Sequence, residues 1–290
     1  MLLEDILAGC KKAGKRSISF EFFPPKTDKG EENLWQCIQE LTPLNPSFVS
    51  VTYGAGGTTQ DRTLRIVERI KKETTLEPMA HLTCVGSTQD DLAKLLNQYK
   101  ASDMRNILAL RGDAPEGQDG FQAVKGGFAY ATDLVKFVRQ QGGFSIAVAT
   151  YPEGHPESKG GVADDLKYLK MKQDAGAIAA ITQYFFDNEH YYRFREQAEK
   201  MGITIPILPG IMPIANYEQI VRFSQMCGAS IPDWLHEKMS PIQDDLDAVK
   251  QMGIEIATRQ CQDLIANDAA GVHIYTLNKP EASIAICKNL

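Results

Sequence analysis

Eight short apolar runs, spread along the whole chain, limit its fold more than any other feature. Each ends in polar, proline or glycine residues. They are SISFEFFPPK (17–26), FVSVTYGA (48–55), EPMAHLTCV (77–85), NILALRGD (106–113), FSIAVATYPEGHP (144–156), AAITQYFFD (179–187), ITIPILPGIMP (203–213) and GVHIYTLN (271–278). Their apolar parts are strand-length and rich in Val, Ile and Phe, as strands buried on both faces should be. All but one adjacent pair are separated by one helix-sized stretch. Chemically capable groups sit at or just past the carboxyl end of each run. That polarity predicts an α/β fold of the (β/α)8, or TIM-barrel, kind, whose site is built at the C-terminal face from all the strands.

A leading amphipathic helix is expected over 1–14, and helices over 29–42, 60–74, 88–100, 131–141, 161–175, 188–201 and 215–228. Asp187-Asn188 is a plausible N-cap for the helix at 188. The gap between the seventh and eighth strands is about 57 residues, and IPDWLHEKM and DDLDAVKQMGIEIATRQCQDLIAND read there as two helices. The expectation is therefore one barrel over 1–290, with an extra N-terminal helix and a helical insertion before the last strand. The Gly-rich segment 114–130 is long for a strand-to-helix connection and is expected to be a lid or cofactor loop rather than slack. The chain ends soon after the eighth strand, so no regulatory domain, and no feedback by a methyl-donor metabolite, is expected.

Composition excludes several classes. A net charge of −6 with dispersed basic residues argues against nucleic-acid binding. No apolar stretch approaches a membrane span of roughly 20 residues, and the N-terminus lacks a secretory pattern, so a cytoplasmic location is expected. The six cysteines lie far apart and read as free thiols, with only Cys84 near a strand end. No metal-ligand spacing occurs among Cys and His, and no metal is expected. Gly54-Ala-Gly-Gly-Thr-Thr fails the dinucleotide fingerprint at Thr59, and Walker, GxSxG and HExxH motifs are absent. Those absences favour an enzyme whose hard chemistry is carried by a bound cofactor.

Candidate residues follow from the strand ends. Glu21 stands between Phe20 and Phe22, with Phe23 beyond. Strand alternation puts Glu21 and Phe23 on one face and the other two on the opposite face. A carboxyl among aromatics is poorly solvated, which would raise its pKa and suit it as a general acid. The competing reading is a structural carboxylate, and the place at the barrel mouth favours catalysis. Arg111-Gly112-Asp113 offers a guanidinium fork, a residue without Cβ for close approach, and a carboxylate. Tyr151 and His155 share a stiff proline loop, for which a surface turn is an equal alternative. His81 reads more readily as a hydrogen-bonded core residue than as a catalyst. Asp165, Tyr168 and Lys172 share one face of the helix 161–175. Gln183 and Gln219 carry amides able to read a heterocycle edge.

The segments SFEFFPPK, FVSVTYGA, HLTC, ALRGD, YPEGHPE, DAGA, ITQYFFD, ILPGIMPI and YTLN occur in this order. Together they resemble the methylenetetrahydrofolate reductases of the bacterial, single-barrel, flavin-dependent type, over about residues 15–288. The resemblance implies non-covalent FAD, with NADH or NADPH and methylenetetrahydrofolate using the same flavin face in turn. Glu21 then matches the general acid and Asp113 the carboxylate near flavin and pterin. Thr52, Tyr53, Ala55, His81, Arg111, Gly112, Tyr130, Ala131, Tyr151, His155, Asp165 and Lys172 match FAD-contacting positions. Gln183, Gln219, Phe223 and Lys279 match folate-contacting positions. Tyr168 and Met171 stand on the FAD-side helix where Asn and Arg are frequent, and Lys279 where Arg is. A homo-oligomer feeding methionine synthesis is also implied. Two other readings remain: an aldolase- or isomerase-type barrel, and a non-catalytic flavin or folate binder within a larger redox complex.

Overall fold

Alternating strands and helices close into a ring. The computed structural model describes residues 1–53, 60–114 and 120–290. Ala55 and the rest of the run 54–59 therefore lie outside the described residues, as does 115–119 of the long loop. Eight strands, β1 (Ser17–Phe22), β2 (Phe48–Val51), β3 (Pro78–Thr83), β4 (Asn106–Leu110), β5 (Ser145–Thr150), β6 (Ala179–Tyr184), β7 (Ile207–Ile211) and β8 (Gly271–Tyr275), form a closed barrel in sequence order. Every pairing is parallel, and β8 closes onto β1 through Ser17↔Gly271 to Glu21↔Tyr275.

The helices are α1 (Leu3–Lys12), α2 (Asp28–Leu41), α3 (Gln60–Glu73), α4 (Gln89–Ala101), α5 (Ala131–Gln141), α6 (Val162–Ala175), α7 (Asn188–Lys200), α8 (Tyr217–Cys227), α9 (Asp233–Met239), α10 (Leu246–Ala266) and α11 (Pro280–Cys287). Helix α1 is the expected extra leading helix, and α9 and α10 are the expected insertion before β8. The Asp187 carboxylate accepts from Glu189 N and starts α7 as anticipated. Helix α11 was not foreseen. It begins with Pro280 at its first position, where the missing N–H costs nothing. Among the described residues, no helix is long and apolar enough to cross a membrane.

The pleat sorts each strand into two environments. Phe20 and Phe22 face outward, fully buried in one cluster with Leu34, Cys37 and Ile38 of α2. Burying two such rings is worth roughly 1.5–3 kcal/mol apiece. A smaller cluster joins Leu3 and Ile6 of α1 to Phe48, Met79, Leu108, Ala147 and Leu208, closing the amino-terminal end of the barrel. Higher up, the described polar residues Ser19, Ser50, His81 and His273 are each 5% exposed or less. This polar stack inside the strands positions the site.

Candidate active site

Glu21 leaves the carboxyl end of β1 in register with Ser50 of β2 and Tyr275 of β8. Its Oε2 accepts a hydrogen bond from Ser50 Oγ at 3.2 Å and lies 3.3 Å from His273 Nε2. His81 Nε2, from β3, is also 3.3 Å from that oxygen, but it is not aligned for a hydrogen bond. The other His273 nitrogen, Nδ1, sits 2.8 Å from Ser19 Oγ. The ring itself stacks on Phe48 with centroids 5.8 Å apart. Four strands thus converge on one carboxyl oxygen.

These neighbours correct the expected proton affinity of Glu21. Phe20 and Phe22 are on the opposite face, and Phe23 is 41% exposed, so these three phenylalanines do not enclose the carboxyl. Burial does push the Glu21 carboxyl up. The imidazoles of His81 and His273 outweigh it and hold the group at about 2. Glu21 is therefore held as an anion between Ser50 and two imidazoles. Ser50, His273 and Ser19 lie within strands rather than at strand ends, where the sequence candidates were sought. The available signal was the pleat, which puts them on the inward face with Glu21.

A cavity of about 550 Å³ opens between the ends of β4 and β5 and the helices α5 and α6. Of the sequence candidates, Arg111, Gly112, Asp113, Tyr130, Ala131, Tyr151, His155, Asp165, Tyr168 and Lys172 line it together, joined by Met171, Lys136 and Glu157. Gly112 is there for a backbone reason. It holds φ +84°, and an added Cβ would lie 2.5 Å from Val85 Cγ2. Tyr151 meets His155 edge-on at 4.6 Å. The Asp165 carboxylate accepts from His155 N at 2.7 Å and Ser158 Oγ at 3.2 Å, fixing the proline loop onto α6. Burial nonetheless moves the Asp165 carboxyl upward. His155 Nδ1 accepts from Glu157 N, so the proton of the neutral ring is on Nε2, and burial moves this imidazole down.

Three cationic side chains, Arg111, Lys136 and Lys172, line the cavity beside the carboxylates of Asp113, Asp133, Glu157 and Asp165. Burial pulls the Lys172 amine down to about 8, with Asp165 partly opposing, while Nζ donates to Ala149 O at 2.6 Å. Arg111 makes a forked pair with Glu157, at 2.5 and 3.0 Å. Tyr130 precedes α5 without capping its first N–H groups by a side chain, and Ala131 and Thr132 line the cavity. An uncapped helix start beside two cations is a fitting cradle for phosphate. Tyr130, Tyr168 and Met171 are among the most exposed large apolar side chains, at 67%, 48% and 52%, and all three border this cavity. They present a surface that a planar ring system would cover. These residues therefore fit FAD.

Thr52, Tyr53 and His81 do not line this cavity. Thr52 is pinned through its backbone, its N–H to Phe22 O at 2.9 Å and its carbonyl to Thr63 Oγ1. Tyr53 is buried beside Ser87, which pulls its phenol down while burial pushes it up more strongly. Gln183 at the end of β6 borders a small cleft with Tyr151. Asn216 caps α8 by accepting from Gln219 N at 2.8 Å, which places Gln219 in its first turn and Phe223 one turn later. Phe223 packs in a cluster with Tyr184, Tyr275 and Leu277. Lys279 precedes α11 and is exposed. Burial pushes the Cys84 thiol up to about 12, which removes it as a nucleophile.

Fold and site define a (β/α)8-barrel protein with an ionised carboxylate–imidazole cluster at its mouth and a cofactor-sized cavity at the ends of β4 and β5. The sequence profile of the methylenetetrahydrofolate reductases matches residues 4–290. The 5,10-methylenetetrahydrofolate reductase of Escherichia coli is 43% identical over 277 residues, covering 96% of this chain and 91% of its own. The methylenetetrahydrofolate reductase (NADH) 1 of Zea mays is 42% identical over 287 residues. The chain spans about half the length of the plant relatives it matches, 48% in the maize case. A solved Clostridium thermocellum protein that binds two copies of 5-methyl-5,6,7,8-tetrahydrofolic acid shares the fold, with a TM-score of 0.64 at 17% identity over 99% of this chain and 98% of its own. The chain belongs to the methylenetetrahydrofolate reductase family.

Proposed function

We propose that this protein reduces 5,10-methylenetetrahydrofolate to 5-methyltetrahydrofolate, in two half-reactions sharing one site, with NADH as hydride source and FAD bound non-covalently. Membership of the family supports the reaction, and the NADH named for the plant relatives supports the reductant. The observation that carries the chemistry is Glu21 held between Ser50, His81 and His273. When bound, FAD would supply hydride transfer between the nicotinamide and the folate. Arg111, Lys172 and the start of α5 would hold its phosphates, and Tyr130, Tyr151 and Tyr168 its rings.

The bridging carbon of the substrate is a poor hydride acceptor while two nitrogens hold it. Breaking its bond to N10 yields an electrophilic 5-iminium ion, and that step needs a proton at N10. Glu21 delivers it. Its side chain is 15% exposed before substrate arrives. Covering it with a pterin removes the remaining water and disfavours the charged carboxylate, so Oε2 takes up a proton along its Ser50 and His273 contacts and passes it to N10. Asp113, whose carboxylate lines the cavity rim, stabilises the iminium cation by proximity. Gln183 and Gln219 orient the pterin, Phe223 packs against the substrate, and Lys279 meets the carboxylates of its glutamate tail. A cytoplasmic homo-oligomer serving methionine synthesis is the setting we infer.

The test separates the half-reactions. The purified protein should be yellow and bleach with NADH under anaerobic conditions, then recover its colour on adding methylenetetrahydrofolate. Glu21→Gln should lower only the second step, by about 10²–10⁴-fold as for loss of a general acid. Equal loss of both steps would refute the acid role.

A further inference from the structure

The loop after β8 is bound to the backbone of Glu21 and Phe23 by side chains with no part in the cluster. Strand β1 cannot continue its ladder past Phe23, because Pro24 and Pro25 have no N–H to give. The residues after β8 take over. The Glu21 carbonyl accepts two bonds, from Thr276 N at 3.2 Å and Thr276 Oγ1 at 2.6 Å. Two residues on, the Asn278 side chain pairs with Phe23 as a neighbouring strand would. Its Oδ1 accepts from Phe23 N at 3.1 Å, and its Nδ2 donates to Phe23 O at 2.8 Å.

The turn that makes this reach possible is a constrained one. Leu277 and Asn278 hold φ of 50° and 56°, consecutive left-handed residues without a glycine between them. Asn tolerates that region, and Leu seldom enters it. Thr276 Oγ1 accepts from Asn278 N at 3.1 Å, and Lys279 N donates to Thr276 O at 3.0 Å, so the turn is braced internally. An unfavourable conformation held this firmly beside a reacting group is a usual mark of positioning.

We propose that Thr276 and Asn278 are positioning residues for Glu21, fixing the backbone of the acid so that its carboxyl stays within reach of His273 and of the substrate nitrogen. The proposal rests on the acid role assigned to Glu21 above. Thr276 supplies the hydroxyl clamp and Asn278 the amide that replaces the missing strand.

The test uses the holoenzyme and follows each half-reaction by anaerobic stopped-flow absorbance. Thr276→Val keeps the shape but loses the hydroxyl, and Asn278→Gly loses the amide while still permitting the left-handed turn. Each should slow folate reduction roughly 10- to 100-fold, the scale for a small misplacement of a reacting group. Reduction by NADH and the folate dissociation constant should stay within about threefold, and the pH profile of the folate step should shift as the Glu21–His273 distance changes. Thr276→Ser should restore the rate. An unchanged folate rate in both variants, equal loss in both half-reactions, or failure of serine to rescue would overturn the proposal. Glu21→Gln is run in parallel. If it turns over normally, the acid reading falls and the positioning role with it. If it is inactive while Thr276→Val and Asn278→Gly work normally, only the positioning role falls.

Discussion

Replacing His273 by Asn tests whether the Glu21 carboxyl draws its proton from the ring beside it. The position is fully buried, and an Asn amide can still reach Ser19 Oγ, but it carries no titratable proton. With one of two imidazoles removed, burial regains ground, and the Glu21 carboxyl climbs from about 2 back toward its ordinary 4.5. It must then collect its proton from water. Loss of the ring that faces Oε2 at 3.3 Å removes the nearest proton relay, so the folate half-reaction should fall by about 10²-fold at neutral pH, less to the extent that His81 takes over the supply. His81 is the poorer donor here, because its Nε2 lies at the same 3.3 Å without hydrogen-bond alignment.

The assay is single-turnover oxidation of the NADH-reduced holoenzyme by methylenetetrahydrofolate, followed by flavin absorbance between about pH 6 and pH 8. The parent protein, with His273 beside Oε2, should show a shallower pH dependence than the variant. The variant should gain close to tenfold for each unit of acidification, as expected when a low-pKa acid limits the rate. Reduction by NADH, which needs no proton from Glu21, should be unchanged in both. A loss smaller than about threefold at pH 7, or a flat profile in the variant, would refute the coupling of Glu21 to His273.

Lys172 makes two opposed predictions. Its amine titrates at about 8 in the fold against 10.5 in the unfolded chain, so the unfolded state holds the extra proton between these values. Stability of the cofactor-free protein should rise from about pH 8 toward pH 10 in urea titrations, while FAD affinity falls through the same window because the cation is lost; Lys172→Met should flatten both. A pH-independent FAD affinity in the parent would show that the amine does not meet the pyrophosphate. At Gly210 an added Cβ would overlap Thr182 O and lie 2.7 Å from the Tyr275 ring. Gly210→Ala should cost about 1–3 kcal/mol in urea unfolding, and an unchanged midpoint would mean that β6 and β8 can yield at the barrel mouth.

How far the sequence could be read depended on which signal each element carried. The strands were plain because apolar runs bounded by turn residues admit few alternatives, and parallel order follows from a single intervening helix. The α9–α10 insertion was visible as surplus helical pattern. Helix α11 escaped because eight residues give scarcely two turns of periodicity. The cavity residues were found by motif, Arg111 and His155 among them. Nothing local announced that Glu157 would take the Arg111 guanidinium in a forked pair. That contact depends on where two loops meet across the rim.

The raised proton affinity expected for Glu21 rests on its aromatic sequence neighbours, although strand alternation already sends Phe20 and Phe22 to the opposite face. Phe20 and Phe22 belong to the helix-facing core, and the residues that meet the carboxyl come from positions 50, 81 and 273. In a closed barrel the inward side chains of different strands form layers, so the environment of one residue is written in the others. Reading the inward positions across β1, β2, β3 and β8 gives Ser19, Glu21, Ser50, His81 and His273, a polar group in a place normally filled by branched aliphatics. Such a layer sacrifices packing for hydrogen bonding inside the core, and it is stable only while each member finds a partner. That requirement explains why the acid is ionised at rest. The partners that let a carboxylate be buried come from three other strands, so the acid and the closed barrel are built together.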